Sequence, residues 1–298
     1  MNTAIRGVCL VVVLSAFPMA LSFGDNKRYE ICGLPFVYCQ KGTFRMGLKS
    51  RFQTGRIDGK VPVALSQGFF MMETEVTQAM WLELMGRTME EQYQKYLETT
   101  TEKDRKAVTP SNDHHQRARG DHYPVFYVSW EECKMFCEVF QKRLEGSSDP
   151  KFKGFSASLP TEAQWEYACR AGTTSYYHTG KDRLLPEEAN FRSGGRKFQA
   201  YPVKSFEKNA WGLYDMHGNV WEWVEDFQGP RLRKPQIDPK GPATGRVRLF
   251  RGGSFASAPE SCKSSSRFWP GGHRYHKRPS SFDRGFRVVL NKKSQQAN

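Results

Sequence analysis

The sequence predicts a compact α+β fold rich in loops, and three observations point to it. Short apolar stretches are broken at close intervals by 26 glycines and 16 prolines, each of which interrupts regular structure. Only three segments carry a clear helix-starting signal, and they do not alternate with strands as a parallel βαβ array would require. Aromatic residues make up 13% of the chain, with seven tryptophans, which supplies a large core and excludes intrinsic disorder for most of the protein.

Taken in chain order, residues 1–22 read as an export leader. Arg6 supplies a positive charge, residues 8–20 are almost wholly apolar, and Ala20-Leu21-Ser22 offers small residues before a cleavage point. The apolar run is shorter than the roughly 20 residues a spanning helix needs. Residues 23–298 are therefore expected as one exported domain, secreted or periplasmic, with no membrane span after cleavage. Gly42–Met46 and Phe69–Met72 have the bulky and β-branched clustering of strands, as do residues 249–255 and 286–290.

Each of the three helix starts is a capping signal. Thr77 precedes an apolar run and offers a hydroxyl to the free amides of a first turn. Ser129 with Glu132 forms an S-x-x-E capping box, and Thr161 with Gln164 forms T-x-x-Q. After Ser129, the residues Cys133, Phe136, Cys137, Phe140 and Leu144 recur at helical spacing, so this helix buries one stripe. Residues 87–121 form a polar insert carrying His114 and His115, with His122 directly after it. No cysteine or carboxylate stands at a ligand-like spacing from these histidines, and a solvated surface loop is expected.

The chain carries 45 Lys plus Arg against 31 Asp plus Glu, a net charge of +14. Such a charge raises nucleic acid as a partner, but export and the dispersal of the basic residues argue against it, and no nucleic-acid partner is expected. The one basic run, residues 273–278, reads as a solvated loop. A protein, a peptide or an acidic glycan outside the cytoplasm fits the charge and the compartment better. No internal repeat, Walker loop, GxGxxG or HExxH is present, and Gly252-Gly253-Ser254 lacks the G-x-S-x-G pattern of a hydrolase.

The most informative stretch is residues 209–223, which place carboxylates at Asp215 and Glu222 on either side of a flexible Gly218. Hard oxygens at that spacing, joined by backbone carbonyls, suit Ca²⁺. A tryptophan-rich core segment with two surface acids fits the same spacing.

The segment resembles the G-L-x-D-M-x-G-N-V-W-E-W signature of the formylglycine-generating enzyme (sulfatase-modifying factor) family. Further matches follow in the expected order. Residues 39–47 are similar to the opening G-G-x-F-x-M-G strand, 73–77 to E-V-T, 124–130 to P-V-x-x-V-S-W and 159–168 to L-P-T-E-A-x-W-E-Y-A. Residues 251–254 match R-G-G-S, and 285–288 match G-F-R-V. The resemblance implies a C-type-lectin-like fold with little regular secondary structure. It also implies a structural Ca²⁺ held by the Asp215 and Glu222 side chains and the Gly218 and Val220 carbonyls. A cleft beside Cys262, bordered by Trp221, Arg251, Ser254 and Arg267, is implied as well, with Arg267 suited to an anionic or polar ligand. An internal salt bridge from Arg267 to Glu222 or Asp226 is the competing expectation.

Three departures bear on activity. Family oxidases hold Cu(I) between two thiolates five residues apart. Here the second position is Cys262, but the first is Ser257, and a neutral hydroxyl is a poor ligand for a soft cation. Cu(I) is therefore not expected. A second Ca²⁺ site, implied around Asn190, meets the basic segment of residues 192–197 and is expected to be absent. Cys137 and Cys169 match disulfide-bonded positions whose partners fall near Phe268 and Val288, so that connectivity does not carry over. Cys32 and Cys39 offer a short loop for closure in an oxidising compartment, while Cys133 and Cys137, on one helix face, are too rigidly held for an easy bond. Two functions follow: a binding module without copper chemistry, or a formylglycine-generating oxidase acting on a sulfatase cysteine through Cys262.

Overall fold

The structure, a computed structural model, describes residues 27–47, 60–101, 118–193, 197–270 and 282–293. The leader at residues 1–22, His114, His115 and the basic run 273–278 lie outside the described residues. Among the described residues, three small sheets, four α-helices and two short 3-10 turns make up the regular structure.

The largest sheet has five strands in the order β1 (Arg28–Ile31), β2 (Leu34–Cys39), β5 (Phe69–Met72), β11 (Val289–Lys292) and β6 (Phe155–Ser158), all antiparallel. The C-terminal strand thus lies between the middle and an edge of the sheet, joining the two ends of the described chain. β3 (Gly42–Met46), β4 (Val61–Leu65) and β8 (Gln236–Ile237) form a second sheet. β7 (Trp221–Phe227) forms a third with β9 (Arg248–Arg251) and the two-residue β10 (Arg284–Gly285). This is the α+β arrangement expected from the sequence.

All three expected caps are in place. Thr77, Ser129 and Thr161 receive the third amide of α1 (Gln78–Met85), α3 (Trp130–Glu145) and α4 (Glu162–Arg170), respectively. The stripe Cys133, Phe136, Cys137, Phe140 and Leu144 is buried, and α3 packs through it on α1 and on β6.

Two expectations are corrected. The insert contains a further helix, α2 (Met89–Thr99), whose Thr88–Glu91 capping box starts it and whose Met89, Gln92 and Tyr96 are buried. Tyr96 stacks against Tyr127 with ring centres 4.6 Å apart, so part of the insert belongs to the core. Cys32 lies in the turn before β2 and Cys39 at its far end, separated by an extended strand of six residues that spans about 20 Å. Neither is bonded, and the other cysteines among the described residues are free as well.

The outer edge of β6 is closed by a side chain. Gln141 on α3 accepts from the Ala157 amide at 2.7 Å and donates to the Phe155 carbonyl at 3.4 Å. This satisfies backbone groups that would otherwise invite another strand.

Candidate functional site

The turn that leads into β7 is built from unusual backbone. Asp215, Gly218 and Asn219 have φ of 57°, 82° and 58°. A Cβ at Gly218 would lie 2.1 Å from the Asn190 carbonyl oxygen, so only glycine permits this close approach. The turn delivers two carboxylates inward, with Asp215 mostly and Glu222 wholly buried.

Arg287 meets Glu222 through two bonds of 2.7 Å, from Nε and a terminal nitrogen, and Trp165 Nε1 donates to the same carboxylate at 2.8 Å. Asp215 accepts from the Lys204 amide at 2.8 Å. Glu75 joins this pair, a residue that sequence reasoning did not single out. It is fully buried, and its Oε1 has no hydrogen-bond partner. Burial, then the nearby charges of Asp215 and Glu222, push the Glu75 carboxyl well up. Burial likewise pushes Asp215 to about 6.

Three carboxylates therefore share one wholly buried guanidinium, that of Arg287. Among the described residues no three His, Cys, Asp or Glu side chains lie close enough to cage a metal by themselves. A hard cation here needs backbone carbonyls too, and the orphaned Glu75 oxygen and the surplus of negative charge fit one. Asn190, around which the resemblance implied a second Ca²⁺ site, donates through its side-chain amide to the Gln199 carbonyl and to Asn219.

Glycine conformations also place the loop after β9. A Cβ at Gly253 would lie 2.3 Å from Cys262 Sγ, so this glycine gives the thiol its room. Cys262 is fully buried among Tyr177, Leu184, Ala189 and Phe191, and burial pushes its thiol far above the usual range. Ser257 lies half-buried at the other end of the loop. Its hydroxyl receives the Ser254 amide and lies 3.0 Å from Ser254 Oγ, which donates to Asp283 at 2.8 Å. The hydroxyl is thus held in a neutral chain leading to a carboxylate. His217 accepts from the His178 amide at Nε2 and meets the Cys262 carbonyl at Nδ1, 2.7 Å away. That pairing places the proton on Nδ1, and burial keeps the ring neutral.

Of the residues expected to border a cleft, Trp221, Arg251 and Ser254 are drawn beneath the surface, whereas Arg267 is half-buried and lines a small pocket with Glu162 and Asp226. Trp221 packs against Phe250 and Phe268, and Ser254 is buried. Arg251 reaches Glu166 at 2.6 Å, Glu162 at 3.2 Å and the Ser264 carbonyl at 2.6 Å. Arg267 bridges Glu162 at 2.8 Å and the Gly229 carbonyl, rather than Glu222 or Asp226. Glu162, Glu166 and Arg170 follow one another every four residues along α4, and this spacing was the available signal for the network.

An open groove of about 450 Å³ lies beside Cys262 instead. Tyr177, Leu184, Phe191 and Pro259 give it apolar walls, and Asp182, Arg183, Glu260 and Lys263 give it a rim of mixed charge. The walls are pinned by Tyr177 Oη donating to the Pro259 carbonyl at 2.7 Å and by the Arg192 amide donating to Ser257 at 2.9 Å. The slot is thus lined by polar and apolar groups alike, with both signs of charge at its lip.

The family described as "Sulfatase-modifying factor enzyme 1-like domain" matches residues 28–292. A formylglycine-generating enzyme of Streptomyces coelicolor is 34% identical over 45% of this chain and 42% of its own length. The "Inactive C-alpha-formylglycine-generating enzyme 2" of Bos taurus is 32% identical over 34% of this chain and 32% of its own. The chain spans less than half the length of these curated relatives. Among solved structures, PvdO from Pseudomonas aeruginosa aligns over 91% of this chain and all of its own, with a TM-score of 0.64 at 22% identity. Treponema denticola variable protein 1 covers 88% of this chain and 98% of its own, with a TM-score of 0.63 at 24% identity.

Proposed function

The chain belongs to the sulfatase-modifying factor enzyme 1-like domain family, and from that premise we propose that it is a peptide- or protein-binding module outside the cytoplasm, without copper oxidase chemistry. The state of the Ser257–Cys262 loop carries this reading. A two-coordinate Cu(I) site needs two thiolates, whereas Ser257 offers a hydroxyl committed to Ser254, and Cys262 is a thiol sealed among apolar side chains. The groove next to this loop is the ligand surface. The leader read in residues 1–22 supports the compartment. A family relative whose name declares it inactive supports a fold kept without the chemistry.

A structural Ca²⁺ completes the proposal. Asp215 and Glu222, with the Gly218 and Val220 carbonyls, would hold it, beside the buried Glu75 carboxyl. The ion would neutralise the acid surplus and brace the turn into β7.

Cu(I) competition against a chromogenic chelator tests the reading on three proteins: wild type, Ser257→Cys, and Ser257→Cys with Cys262→Ala. Wild type is expected to bind weakly, the single variant tightly, and the double variant weakly again. Tight binding by wild type would restore the alternative, a formylglycine-generating oxidase. Failure of the single variant to gain affinity would mean that positions 257 and 262 do not face a common ion.

A further inference from the structure

A second groove, of about 640 Å³, opens away from the Cys262 loop where the ends of several strands meet. Its floor is a continuous chain of amides and hydroxyls. The Thr161 amide donates to Gln164 Oε1, Gln164 Nε2 donates to Asn291 at 2.6 Å, and Asn291 Nδ2 donates to Ser158 at 3.1 Å. Ser156 closes the row on the Asn291 carbonyl. The floor is therefore fixed in place before any ligand arrives.

The rim carries three ammonium groups, Lys240, Lys292 and Lys293. Lys293 pairs with exposed Glu145, whereas Lys240 and Lys292 are exposed and form no ion pair among the described residues. Of the acids at the groove, Glu225 is paired with Lys134, whereas Asp238 is held by the Ser66 amide and hydroxyl, which bring no counter-charge. Lys240 and Lys292 outnumber that one acid, so the open polar slot keeps a positive excess.

We infer that this groove binds an anionic saccharide. Sugar hydroxyls both donate and accept, and fixed amide and hydroxyl rows answer both roles. The lysines add attraction for carboxylate or sulfate substituents. None of the lining residues is aromatic, so the stacking platform that single-stranded nucleic acid uses is missing. The inference does not depend on the copper question, because the groove shares no residue with the Ser257–Cys262 loop, and the two can fail separately.

The experiment is calorimetric titration of the full chain with hexagalacturonate, a heparin-derived hexasaccharide and neutral maltohexaose. Hexagalacturonate carries carboxylates alone and the heparin hexamer adds sulfates, so their comparison shows whether carboxylate suffices or sulfate is needed. At least one anionic hexamer is expected to bind about tenfold or more tighter than maltohexaose at low salt and to weaken as salt screens the lysines. Replacing Lys240→Ser and Lys292→Ser together should cost about tenfold or more, while Lys27→Ser with Lys208→Ser, exposed positions elsewhere, should leave affinity within about twofold. Three outcomes would overturn the inference: no preference for either anionic hexamer, equal losses in both paired variants, or binding to anionic phospholipid vesicles that needs Lys240 and Lys292 and is not displaced by the saccharides.

Discussion

Glu166 and Glu75 are both fully buried carboxylates, and their surroundings are electrically opposite. Burial opposes ionisation of Glu166, but the Arg251 and Arg170 guanidiniums outweigh it and hold the carboxyl below its usual range. The Gly47 amide adds a further bond at 2.8 Å. Around Glu75, burial and the charges of Asp215 and Glu222 act in the same direction, and the carboxyl is pushed well up. The first region saturates its acids within the chain: Arg170, Arg251 and Arg267 answer Glu162 and Glu166. The second keeps an acid surplus and an orphaned oxygen inside the fold, a cost that an external cation would relieve. Burial alone therefore does not mark a functional acid. A buried acid left without its counter-charge does.

The largest expected effect breaks the saturated side. Arg251→Met removes one of the two arginine partners of Glu166 and one of the two of Glu162. Leaving these buried carboxylates short of counter-charge should cost about 3–5 kcal/mol in denaturant unfolding. A loss below about 1 kcal/mol would mean that Arg170 and Arg267 hold the network alone.

A smaller effect sharpens the acid-rich side. Ca²⁺ at about a hundredfold excess over its dissociation constant should stabilise wild type by about 2.7 kcal/mol relative to chelator. Asp215→Ala should abolish that gain. Glu75→Gln should reduce it while leaving the chelated protein no less stable, since the Glu75 carboxyl is already biased toward its neutral form. Equal unfolding midpoints with Ca²⁺ and with chelator would remove calcium from the site.

The smallest effect lies at the border of the saturated network. Asp226 accepts from the Glu162 amide at 2.7 Å. Burial, then the charge of Glu162, raises it to about 7. A folded value above the unfolded one means that the native state holds the proton longer. Stability from this group is thus complete below about pH 4 and lost as pH rises through about 7. Asp226→Asn should therefore match wild type near pH 4 and exceed it by about 2 kcal/mol at pH 8, less than the full linkage because Asp226 borders a small pocket. Equal pH profiles for the two proteins would show that Asp226 titrates normally.

Legibility in the sequence differed from region to region. The three caps at Thr77, Ser129 and Thr161 were readable because each is a contact within four residues. The Thr88–Glu91 box has the same chemistry, but it sits in a histidine-bearing polar stretch whose composition masks the buried stripe of Met89, Gln92 and Tyr96. In the site, Asp215, Gly218 and Glu222 lie within eight residues and were visible as a group. Glu75 was not, because it stands more than a hundred residues away and reaches them only through the fold.

What the sequence by itself determined is local or positional: the helix starts, the ordered family segments, and a serine at 257 where a thiolate would complete a copper pair. Tertiary structure alone decided which charges meet. Arg251 finds Glu162 and Glu166 across 89 and 85 residues, and Arg267 finds Glu162 across 105. Those pairings drew Arg251 and Arg267, expected at a ligand cleft, into an internal ion-pair network. The physical reason is that a cap or a spacing is a short-range property of the chain, whereas the fate of a buried charge depends on every segment packed around it.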